Sequence, residues 1–258
     1  MFTLTSVIQA KFYLCLLVFA RMAGAVHFAP AIGGRGVPGT VRVLGSVLLT
    51  VAIVPSLWYM PVANPGTLLA GAVGILLEFL VGLAAGTALL AFFAALGMCG
   101  DLVGRLGGFS VSASLDPSVG EEMPVLGVAL RMLGTAVFIL TGGLDGFVTG
   151  AIDSFSTLAP GTVLNLENAV TVLTGIVASS FVLALRLALP VFLSLLTLWI
   201  AAALLNRALP QLNMMTFTFS GNTLLTLAVL NLALAGILWE FQTRLPELLQ
   251  KIQTLAGS

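Results

Sequence analysis

The sequence predicts an all-α integral membrane protein of about six apolar segments, some of them long, bent or hairpin-like. Three observations carry this expectation. Of the 258 residues, 59% are hydrophobic and only 8% are charged, against roughly 25% charged in soluble domains. Mean hydropathy is +1.14. Apolar residues also run in blocks near the ~20 residues that a helix needs to cross a hydrocarbon core of about 30 Å.

Each block can be justified in order. Residues 12–30, FYLCLLVFARMAGAVHFAP, follow Lys11 and mimic a secretory signal peptide, with an A-x-A at Ala23–Ala25. Arg21 interrupts the run just before that site and the basic residue comes late, so the segment reads as a retained first helix. Residues 43–60 form the second block. The third, 68–100, makes a helix of about 50 Å and the fifth, 169–205, one of about 55 Å, at 1.5 Å per residue. Both exceed one perpendicular span. Gly82 and Gly86 form a GxxxG in the third block, which permits close backbone approach. Pro190 is expected to split the fifth into 169–189 and 191–205, because an interior proline kinks or breaks a helix. Residues 124–141 and 223–240 are the fourth and sixth blocks. The polar tail, 242–258, is expected to end a helix with Pro246 near its start. No repeat divides the chain, which reads as a single domain, 1–258.

Composition also excludes functions. Formal net charge is zero and the pI is near 6.6, so no basic field invites nucleic acid. Cys15 and Cys99 lie in apolar runs without a CxxC and read as buried structural thiols. His27 is the only histidine, which leaves His-based metal sites and triads without material. Asp116, Glu121 and Glu122 form the only carboxylate cluster, and no HExxH, GxSxG or Walker-type loop accompanies them. An enzyme is not expected, nor a cofactor or a metal. Loop charges leave orientation open: Lys11, Arg244 and Lys251 fall on one side, and Arg35, Arg42, Arg105 and Arg207 on the other.

Three features call for a role. Arg21, Glu78, Arg131 and Arg186 stand inside apolar runs, where a charge facing lipid costs about 2.5–3.5 kcal/mol. They read either as buried ion pairs that orient helices, with Arg21 and Glu78 as one pairing, or as an ion pathway. The polar stretch GRLGGFSVSASLDPSVGEEMP, Gly104 to Pro124, offers backbone freedom at Gly104, Gly107 and Gly108. It adds apolar anchors at Phe109 and Leu115, and a turn at Asp116–Pro117 followed by Gly120. Such a segment suits a displaceable plug in a narrow passage or an ordinary surface loop. The stretch NRALPQLNMMTF brings Arg207, Pro210, Gln211 and Asn213 beside Met214 and Met215. It reads as an interfacial helix stop or as a contact surface for partner subunits.

Taken together, these stretches resemble the FliR family of flagellar export-gate proteins and its injectisome counterpart, SctT. The likeness covers nearly the whole length. It runs through FARMAGAVHFAPAIGGRGVPGTVRV (Phe19–Val43), EFLVGLAAG (Glu78–Gly86), the D-P-x-x-G of Asp116, Pro117 and Gly120, FILTGGLDGFVTGAIDSFSTLAPG (Phe138–Gly161) and ALPVFLSLLTLWIAAALLNRALPQLN (Ala188–Asn213). The chain departs from the pattern after Gly142–Gly143, where Leu144 and Asp145 replace an expected histidine, and near Ser220–Asn222, where a lysine is missing.

The resemblance implies a pore-forming subunit of the type III protein export gate. The location it implies is the bacterial inner membrane, within a flagellar or injectisome basal body. The implied partners are FliP-like, FliQ-like and FlhB-like subunits in a hetero-oligomer, with unfolded exported proteins as cargo. The loop near 104–122 would lie in the pore and help plug it. Sibling subunits around the chain would account for its charged apolar runs. The rival is a stand-alone secondary transporter, with Arg21, Glu78, Arg131 and Arg186 as a coupling network and Pro190 as a broken-helix site.

Overall fold

Apolar blocks this long can satisfy their backbone in lipid only as helices, and every regular element among the described residues is helical. The computed structural model describes residues 4–30, 33, 37–60, 62, 66–109, 125–161, 166–208 and 214–256. The order is α1 (Leu4–Phe28), α2 (Gly39–Ile53) with a 3-10 turn at Val54–Leu57, α3 (Leu68–Leu106), α4 (Val125–Leu140), α5 (Gly143–Thr157), α6 (Leu166–Ala208) and α7 (Met214–Ala256). Among the described residues, five stretches are long and apolar enough to cross a membrane, and α4 with α5 adds a sixth if that broken pair is one span.

The elements depart from the sequence expectation in three places. α6 runs unbroken through Pro190. Its ring removes a single backbone bond and lies on an exposed face, while the bonds on either side have no competing water in an apolar medium. The polar tail does end a helix, as expected, since α7 continues through Pro246 to Ala256. Leu245 and Leu248 on it are buried. α3, at 39 residues, is about 58 Å of continuous helix rather than a hairpin. Finally, the glycine-rich stretch after Gly142 is a helix, α5, of only modest apolarity. Gly142, at φ +77°, is the break that separates it from α4, a left-handed conformation that costs glycine nothing.

The chain divides into two compact units: residues 1–92, 139–178 and 245–258, and residues 93–138 and 179–244. In the first, α2 and its turn fold back along α1. Leu14, Val18 and Met22 of α1 pack on Ile53, Val54, Leu57 and Phe155. Lys11 Nζ donates to the Trp58 carbonyl and lies over the indole ring, 5.3 Å from its centroid. In the second unit, Phe93 meets Phe138 and Phe241 edge-on, with centroids 5.3 and 5.1 Å apart, the arrangement that ring quadrupoles favour.

Candidate functional site

Small residues let α1 and α3 touch backbone to backbone. A Cβ on Gly82 would collide with the Arg21 carbonyl and the Ala25 nitrogen, and one on Gly24 with the Phe79 carbonyl and the Leu83 nitrogen. Gly86 meets the Ala25 carbonyl in the same way. The GxxxG of α3 is therefore a helix-crossing surface, and its close approach sets Arg21 opposite Glu78.

These two charges are both 2% exposed and form an ion pair, Nε to Oε2 at 2.6 Å. The guanidinium also donates through Nη1 to the Ser154 carbonyl at 3.1 Å and to Ser154 Oγ at 3.3 Å, and through Nη2 to the Leu158 carbonyl at 3.1 Å. It sits 4.0 Å over the Phe155 ring, a cation–π geometry. The second oxygen of Glu78 accepts the Gly161 N–H at 2.8 Å. Ser154 and Leu158 close the C-terminal end of α5, where the Ser154 carbonyl also accepts the Leu158 N–H at 2.9 Å and the negative end of the helix dipole attracts a cation. One ion pair thus ties α1, α3, α5 and the turn after α5 together. The sequence reading did not anticipate Ser154, Phe155, Leu158 or Gly161 as partners. Four of these five contacts are backbone groups or a ring, which leave no charge signature in a sequence.

In the second unit, α3 and α4 run antiparallel on another stripe of small residues. Gly100 touches the backbone of Leu126 and Gly127, Gly134 faces Leu96, and a Cβ on Gly97 would come 3.1 Å from Nε of Arg131. Asp101, a charge the sequence reading passed over, directs Oδ1 at Gly127. That buried oxygen has no hydrogen-bond partner among the described residues.

The end of α3 is a built cap. Phe109 N–H donates to the Gly104 carbonyl at 2.9 Å and Gly108 N–H to the Arg105 carbonyl at 3.3 Å, with Gly108 at φ +83°. These bonds form the Schellman motif. Gly107 is buried against Thr226, its carbonyl accepts from Thr223 Oγ1 at 3.2 Å, and Gly108 faces the Phe219 ring. Of the loop residues singled out in the sequence, Gly104 therefore lies inside α3, and Gly107, Gly108 and Phe109 form its cap, instead of supplying free loop. Asp116, Pro117 and Gly120 lie outside the described residues. A Cβ on Gly104 would touch Leu126 at 3.8 Å, so the chain leaves α3 and re-enters at α4 from neighbouring points.

The remaining charges do not join the Arg21–Glu78 pair. Arg131, Arg186 and Arg207 are exposed, and neither Arg131 nor Arg186 makes an ion pair among the described residues. Pro210, Gln211 and Asn213 lie outside the described residues. No group of three His, Cys, Asp or Glu residues that could hold a metal occurs among the described residues.

Long apolar helices locked by glycine crossings and one interior ion pair define a polytopic membrane protein. The chain belongs to the bacterial export proteins, family 1, the FliR/SctT family, whose model matches residues 12–248. It is 28% identical over 239 residues to the flagellar biosynthetic protein FliR of Caulobacter vibrioides, covering 92% of this chain and 94% of that one. It is 32% identical over 200 residues to FliR of Escherichia coli, covering 77% and 76%. It is 23% identical over 154 residues to the secretion system apparatus protein SsaT of Salmonella typhimurium, covering 59% and 60%.

Proposed function

We propose that this chain is a pore-forming subunit of a type III protein export gate, and that the plug stretch, read in the sequence as about 104–122 and beginning only beyond the α3 cap, at residue 110, occludes the channel when export is idle. The observation that carries the reading is the base of that loop. A helix end capped by Gly107 and Gly108 stands against the start of α4 at Gly104 and Leu126, so the two described ends that flank the plug stretch are firmly built and close together. Ends built in this way give a plug between them a fixed base in both an open and a closed position.

Two further features support the reading. Exposed apolar faces run along α2, α6 and α7, with Leu48, Val51, Leu193, Leu204, Leu224 and Leu232 among them, enough to meet both lipid and sibling subunits. The named relatives are flagellar biosynthetic and secretion-apparatus proteins. On this reading FliP-like, FliQ-like and FlhB-like subunits assemble with the chain in the bacterial inner membrane, unfolded proteins are the cargo, and the chain performs no chemical step. The chain acts as one export-gate domain in which both units take part.

The test replaces residues 110–122 by a short Gly–Ser linker, which spares the α3 cap and the α4 start. Ion leakage across membranes carrying the assembled complex should rise, while co-purification with the other subunits is unchanged. Unaltered conductance in a correctly assembled complex would rule out the plug.

A further inference from the structure

We infer that the groove between α6 and α7 in the second unit is the seat of an apolar helix from a sibling subunit, one that carries a single carboxylate at the level of Arg186. The groove is lined by Arg186, Leu187 and Pro190 on one side and by Val229, Ala233, Gly236 and Glu240 on the other, and is an open cleft of about 480 Å³. Its α7 face repeats at 229, 233, 236 and 240, which is one helix face. The floor is low: a Cβ on Gly236 would meet nothing within 4 Å. Beside it, α6 exposes Val182, Leu189, Leu193, Leu196 and Ile200. With Arg186 these alternate in steps of four and three, the spacing of a seam that takes a second helix at a shallow left-handed crossing.

Charge selects the occupant. Glu240 is already spent on Arg244, at 2.7 Å, so that pair is neutral. Arg186 is exposed within a run of apolar residues and bonds to nothing among the described residues, which leaves the groove one positive charge in excess. In an apolar setting such a charge is costly until an anion meets it. A helix with one aspartate or glutamate neutralises it and fills the apolar seam in the same step. A phospholipid headgroup could supply the charge but would leave the small-residue floor without a close-packed neighbour.

The inference rests on the export-gate reading only for the source of the helix. In cells carrying the complete apparatus, a diazirine-bearing residue replaces Ala233, with Trp239, which does not line the groove, as the control position. Irradiation should join position 233 to a helix of another membrane subunit, with an acidic residue within about a turn of the adduct. Arg186→Glu should lower that yield about tenfold or more, the scale of losing one member of a desolvated charge pair. Arg186→Lys should retain most of it, and reversing the partner's acid should restore it in Arg186→Glu. Gly236→Leu, which fills the floor without touching the charge, should also abolish the adduct, and an unchanged adduct at position 239 reports that these variants still fold. Adducts to phospholipid alone or to a second copy of this chain would overturn the inference. So would a yield indifferent to Arg186→Glu in a chain that still co-purifies with sibling subunits. A chain that leaves the membrane with no sibling subunit would overturn the export-gate reading as well.

Discussion

Replacing Glu78 by Gln tests what holds the first unit together. The side chain keeps its shape and an oxygen for the Gly161 N–H, but the countercharge of Arg21 is gone. Arg21 is 2% exposed, so water cannot take over. Its remaining acceptors are the neutral oxygens of Ser154 and Leu158. Breaking a buried pair from one side costs about 3–5 kcal/mol, because an uncompensated charge is left inside. Set against a total stability of about 5–15 kcal/mol, the loss lowers the unfolding midpoint by roughly 10 °C. Thermal unfolding of the chain in detergent micelles, followed by near-ultraviolet circular dichroism, measures it. The double variant Arg21→Met with Glu78→Leu removes both charges and should recover most of the stability, since apolar replacement of a whole buried pair is often neutral. If Glu78→Gln unfolds at the wild-type temperature, or the double variant is worse than either single one, the pair does not join α1, α3 and α5 as argued.

Other substitutions check separate parts of the argument. Gly82→Val should cost about 3 kcal/mol, because the new side chain collides with the Arg21 backbone and not with a flexible tip; the same melting experiment reads it. Gly108→Val forces a β-branched residue to φ +83° and should cost about 1–2 kcal/mol, with Gly108→Asn losing clearly less. Thr226→Val should be neutral or stabilising by about 1 kcal/mol, because the hydroxyl of this fully buried side chain makes no hydrogen bond among the described residues. A marked loss would show that Thr226 holds Gly107 through its oxygen instead of its shape.

Much of this molecule was written in local pattern. Apolar blocks of membrane-crossing length are visible in the chain because lipid demands them residue by residue, and their order resembles one family because order and spacing survive where single motifs are weak. The GxxxG at Gly82 and Gly86 could be read as a close-packing surface from spacing alone. Helix continuity could not. Pro190 looks like a break in a sequence, yet it removes one bond from a ladder of dozens, and the neighbouring turns decide the outcome. α5 escaped because the blocks were read by length and apolarity, and α5 is short and only modestly apolar.

The sequence determined by itself the class of protein, its helical membrane character, and the presence of four charges that lipid would not tolerate. Only the tertiary structure decided what each charge meets. Arg21 and Glu78 are 57 residues apart in the chain, and their partnership exists because glycines bring two backbones into contact and α5 turns its terminal carbonyls toward the same point. The reason is physical: burial and distance are properties of packed helices, and backbone carbonyls, which complete this site, are the same in every residue.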